Sequence, residues 1–124
     1  MSTWTASEIS AHLGISTAVF QNFRLGKRHI AQLREAGITR IELSSIPRSL
    51  EIHNRAQIAE LQKACEDHGV SVVSVHGPFK LPYNNPDEAV RKSVVEESLA
   101  AVRFAAEMGA FVDVAHFGYK NHGK

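Results

Sequence analysis

Disulfide chemistry is closed to this chain, because Cys65 is its one cysteine. A single thiol forms no internal bridge, which excludes a disulfide-stapled scaffold and fits a reducing compartment. Long apolar runs are missing too, and none approaches the ~18 residues that a membrane span needs. The first ten residues lack the basic-then-apolar pattern of a signal peptide, so a cytoplasmic protein is expected. Charge of either sign is scarcely in excess: the net charge is +1 and the pI about 8.0. Nothing in that balance points to nucleic acid, a membrane surface or a strongly acidic partner. With no low-complexity segment and no internal linker, residues 1–124 are expected to form a single domain.

What remains is ordinary globular material, 44% hydrophobic and 22% charged. A chain of this length buries roughly two-thirds of its unfolded surface. The unusual count is histidine, with seven, and placement gives two of them meaning. Residues 70–75 are rich in valine, which favours a strand buried on both faces. Gly77-Pro78 ends it, since proline lacks a ladder N–H and glycine allows a sharp change of direction. His76 stands between strand and breaker. The pattern recurs at residues 111–116, a second apolar run finishing in His116 and followed by Phe117-Gly118.

The rest of the chain alternates. A first strand is expected over 11–16, and a short helix over 26–36 with Ile30 and Leu33 on its buried face. A second strand follows over 38–44. Asn54 caps the next helix, with Gln57 reaching back in a capping-box arrangement. Ile58, Leu61 and Cys65 form its apolar stripe, so Cys65 reads as a packing residue. Gly69 closes it. Asn85-Pro86-Asp87-Glu88 opens a long helix, with Asn85 as cap and Pro86 at the first position. Val95, Leu99, Val102 and Ala106 mark its apolar side, and Ser93 marks a break. This β-α-β-α-β-α-β order demands parallel strands with right-handed crossovers. The repeat at 69–79 and 109–118 has the look of a βα-barrel.

Side chains alternate across a strand, so His76 facing inward takes Ser74 and Val72 with it, and His116 takes Val114 and Val112. Asp113 then faces the helices, without an evident partner. Glu42 facing inward takes Arg40. Glu42, His76 and His116 therefore stand at the C-terminal rim of three successive strands, about 4.8 Å apart. Two imidazoles and a carboxylate suit a divalent ion such as Zn, Mn or Co. They equally suit a polar rim bonded to itself and to water. The other histidines have plainer readings. His12 lies in the first strand, His29, His53 and His68 are solvated, and His122 lies in the tail. Trp4 either covers the bottom of the sheet or is disordered.

Gly37-Ile38-Thr39-Arg40-Ile41-Glu42-Leu43, Val75-His76-Gly77-Pro78-Phe79 and Ala115-His116-Phe117-Gly118 resemble strands two, three and four of the xylose isomerase-like TIM barrels. Those barrels include sugar phosphate isomerases and epimerases, and endonuclease IV. The resemblance implies a (β/α)8 barrel with a divalent metal at its C-terminal mouth, moving a proton next to a sugar carbonyl. It makes Glu42, His76 and His116 substrate-binding residues, with His76 and His116 also metal ligands. It implies a sugar or sugar phosphate as the partner. Phe117 stands where the family commonly has proline.

Four βα units make only half such a barrel, and the family's catalytic acids lie mostly on later strands. No catalytic residue is therefore expected among these residues. Truncation is the preferred reading of this length, and a homodimer covering the open barrel face is the other. An endonuclease IV-like zinc hydrolase and a non-catalytic half-barrel that dimerises stand as alternatives to the isomerase or epimerase.

Overall fold

The computed structural model describes residues 3–117. Four strands, β1 (Ile15–Ser16), β2 (Arg40–Ser44), β3 (Ser71–His76) and β4 (Val112–Val114), form one sheet in the order β1-β2-β3-β4. Every pairing is parallel. The helices are α1 (Ala6–His12), α2 (Lys27–Glu35), α3 (Arg55–His68) and α4 (Glu88–Glu107). The α/β half-barrel expectation is met.

Ile41, Leu43 and Val75 are fully buried and belong to one core with Ile30, Leu33, Ile58, Leu61, Ala101 and Phe104 from the helices. Arg40, Glu42, Ser74 and His76 alternate with them and occupy the opposite face, open toward the barrel interior. Gly37, Gly69 and Gly109 adopt left-handed backbone (φ 82°, 62° and 78°) at the ends of α2, α3 and α4. A Cβ is disfavoured there. Each therefore reverses the chain into the next strand.

One expectation about β3 fails. The pairing register shifts between Ile41 and Glu42, which lie opposite Val72 and Ser74. Val73 is the extra residue of a β-bulge. Val72 consequently turns to the helices, where it is 6% exposed, instead of sharing the inner face with Ser74.

The first strand is also shorter than the alternation at 11–16 predicts. Residues 11 and 12 end helix α1, which Thr5 and Glu8 start: Glu8 N–H donates to Thr5 Oγ1 (3.2 Å) and Thr5 N–H to the Glu8 carboxylate (2.7 Å). This capping box outweighs a weak two-residue periodicity. His12 thus stacks edge-to-face on Trp4 at 5.2 Å, and Trp4 is 59% exposed.

Helix α3 has Asn54 as its cap, but Gln57 does not reach back. It is buried and donates to the carbonyls of Leu25 (2.9 Å) and Ser49 (2.7 Å), while accepting from Glu51 N–H. The cap of α4 is Asp87, not Asn85. Asp87 Oδ1 accepts from Ala89 N–H, and Asn85 Oδ1 accepts from Asp87 N–H in the turn before. The helix runs unbroken through Ser93, whose hydroxyl bonds back to the Val90 carbonyl.

Its buried side is Val94, Ala101, Phe104 and Ala105, whereas Val95, Leu99 and Val102 are 50%, 41% and 49% exposed. Two apolar stripes one residue apart both satisfy helical spacing. Only packing on the sheet selects between them.

Candidate functional site

The site is assembled by strand register. Ser74 lies opposite Glu42, and both Ser44 and Val114 lie opposite His76. His116 follows β4 by two residues. Ser74 Oγ donates to Glu42 Oε2 at 3.1 Å, and Glu42 Oε1 lies 3.4 Å from Nδ1 of His76. On the far side of the same ring, His76 Nε2 and His116 Nε2 are 2.6 Å apart, with the two rings stacked at 4.9 Å. A carboxylate at Nδ1 favours the tautomer protonated there, which leaves Nε2 of His76 to accept from His116. Phe79 closes the arrangement, 4.9 Å from His76 and 5.8 Å from His116, both edge-to-face.

The three residues singled out from the sequence therefore come together, but in a row and not around one point. Among the described residues, no group of three His, Cys, Asp or Glu side chains is placed to hold a metal ion. Glu42 addresses the nitrogen of His76 that faces away from His116. Two nitrogens bound tetrahedrally to zinc at about 2.0 Å stand roughly 3.3 Å apart, wider than the present 2.6 Å. The histidine pair fits two positions of a divalent ion's sphere after a small separation of the rings. Glu42 fits the supporting carboxylate that orients one of them.

Asp113 faces the helix layer, as strand alternation requires. Its Oδ1 is buried without a hydrogen-bond partner. Burial raises its pKa above the ordinary carboxylate value, opposed by the nearby His76. Gly77 lies beside it, and a Cβ added there would meet Asp113 Oδ1 at 3.4 Å, an ordinary van der Waals contact.

The remaining histidines stay out of the site. His53 is exposed and pairs with Glu97 at 2.9 Å, and His68 is half-buried in the last turn of α3. His29 contradicts the solvated expectation. It is 3% exposed, accepts from Gly26 N–H through Nδ1 (3.1 Å) and packs on Phe20 at 4.7 Å. Burial, with Arg28 alongside, holds its pKa below the ordinary value. Cys65 is buried, and desolvation pushes its thiol up to about 11, which suits packing and not nucleophilic chemistry. His122 and Gly118 lie outside the described residues.

The aromatic lid was missed from the sequence. Phe79 appears there only as the last residue of the Val75-His76-Gly77-Pro78-Phe79 motif, yet its ring meets both imidazoles.

The parallel βα order agrees with comparisons to known proteins. A family model, xylose isomerase-like TIM barrel, matches residues 30–124. The chain belongs to this family. An L-ribulose 3-epimerase structure superposes with a TM-score of 0.62 at 23% identity, over 90% of this chain and 38% of that one. A protein of Sinorhizobium meliloti 1021 gives 0.61 at 22%, over 92% and 40%. D-psicose 3-epimerase, solved in the presence of D-fructose, gives 0.59 at 16%, over 81% and 35%. The chain thus spans less than half the length of these xylose isomerase-like structures, and the likeness shows the fold. No curated protein sequence matches this chain.

Proposed function

We propose that this chain carries the Glu42–His76–His116 portion of a sugar isomerase or epimerase site, which moves a proton next to a sugar carbonyl. The observation behind this reading is the convergence of the two Nε2 atoms at the C-terminal ends of adjacent parallel strands, where βα-barrels place their ligands. The substrate is a sugar or sugar phosphate. A divalent ion, when bound, polarises the sugar oxygens. His76 and His116 hold that ion or the sugar hydroxyls. Glu42 fixes the His76 tautomer, anchored in turn by Ser74. Phe79 offers an apolar edge to the sugar's C–H face. No carboxylate among the described residues is assigned the proton transfer, so little or no turnover is proposed for the purified chain.

Calorimetric titration with Zn²⁺, Mn²⁺ and Co²⁺ tests the reading. His76→Ala and His116→Ala each weaken binding by about a hundredfold, and Glu42→Gln weakens it by about tenfold. Ion binding that is indifferent to both histidines refutes the assignment. So does substantial epimerisation of a ketose by the purified chain.

A further inference from the structure

An open cavity of about 720 Å³ is lined mainly by the loop after β2 and the loop after β3, and neither His76 nor His116 lines it. Ser45 N–H donates to the His76 carbonyl at 2.9 Å, which ties the two loops together at the strand ends. The walls are largely apolar, among them Ile52 and Phe79. Phe79 is the shared element, because the ring that lines this cavity also meets His76 at 4.9 Å.

Two cations line the cavity, one from each loop: Arg48 and Lys80. They are also the two described non-glycine residues with left-handed backbone, at φ 71° and 63°. Long side chains rarely adopt that conformation, and such strain gathers where a loop clamps a ligand. Both residues are exposed, and neither makes a hydrogen bond or ion pair with another described residue. Of the two carboxylates in the lining, Glu97 is engaged by His53 at 2.9 Å. Glu51 is the one that opposes the cations.

Resting on the sugar-binding reading above, we propose that this cavity is a subsite for a phosphate monoester at the non-reacting end of the ligand, held by Arg48 and Lys80. A ligand with one end on the histidines and its middle over Phe79 extends into the cavity that both cations line. Two cations from separate loops suit a dianion better than a single carboxylate, and charge-assisted hydrogen bonds to a phosphate are among the stronger ones available.

Titration of the full chain with inorganic phosphate, followed by backbone amide NMR at constant ionic strength, tests the subsite. Saturable shifts at Arg48 and Lys80 are expected, weakened at least about tenfold in the Arg48→Ala/Lys80→Ala variant. The Arg48→Gly/Lys80→Gly variant separates binding from folding: it gains thermal stability, because glycine tolerates the left-handed backbone, yet loses phosphate. Absence of saturable binding, equal affinity in either double variant, or acetate binding as tightly as phosphate overturns the proposal. The same titration on His76→Ala retains phosphate binding, so a failed metal site and a failed phosphate subsite are told apart.

Discussion

His76 Nε2 and His116 Nε2 lie 2.6 Å apart although the residues are 40 positions apart in sequence. Such closeness makes the two rings one functional unit, joined nitrogen to nitrogen. Their contributions to ion or ligand binding are therefore non-additive. The His76→Ala/His116→Ala double variant loses no more Zn²⁺ affinity than either single variant, as measured by competition with a chromogenic chelator. Additive losses would show that the rings bind separately.

Gln57 makes a stronger prediction than any surface ion pair. Its buried amide satisfies the carbonyls of Leu25 and Ser49 and the N–H of Glu51, so it fastens two loops to α3. Gln57→Leu leaves the Leu25 carbonyl and the Glu51 N–H unpaired, while the Ser49 carbonyl keeps Leu25 N–H (2.9 Å), and costs about 2–4 kcal/mol in urea unfolding. Arg55→Ala, which removes the exposed pair with Glu107 (2.5 Å), lowers the urea midpoint far less. Equal effects would contradict this ranking.

Asp113 sets a pH dependence of one sign. Burial raises its folded-state pKa, so the native state holds that proton more tightly than the unfolded chain. Its favourable contribution is present below the ordinary carboxylate range and is lost as pH climbs through the raised value. Asp113→Asn removes this decline, and is expected to be more stable than the parent near pH 7 by about 1 kcal/mol. Stability curves of unchanged shape would disprove it.

His29 works in the opposite direction. Desolvation depresses its pKa, so the unfolded chain takes up the proton first. Stability is full above the ordinary imidazole value near 6.5 and falls as pH drops from there toward the depressed one. Denaturant midpoints at pH 7.5 and 5.5 differ less in His29→Phe than in the parent.

The legible parts of the sequence were those where one local rule acted without competition. The strands ending at Ser44 and His76, helix α3 with its Asn54 cap, and the three closing glycines follow directly from residue type. Glu42, His76 and His116 were legible as neighbours because strand register carries each of them to the same rim. What escaped depended on packing against distant chain. Periodicity offered α4 two apolar stripes, and only the sheet chose Val94 and Phe104 over Val95 and Leu99. His29 looked solvated because nothing local announces that Phe20 will cover it. The row-like geometry of the site, with Glu42 behind His76, needed the distances themselves.

The bulge at Val73 has a consequence for how this strand tolerates editing. With Val73 removed, Ser71-Val72-Ser74-Val75-His76 alternates without interruption, and Val72 and Val75 still face the helices while Ser74 and His76 still face inward. Deleting Val75 instead turns His76 to the wrong side. One residue of β3 is therefore dispensable length, and its neighbour two places on is not.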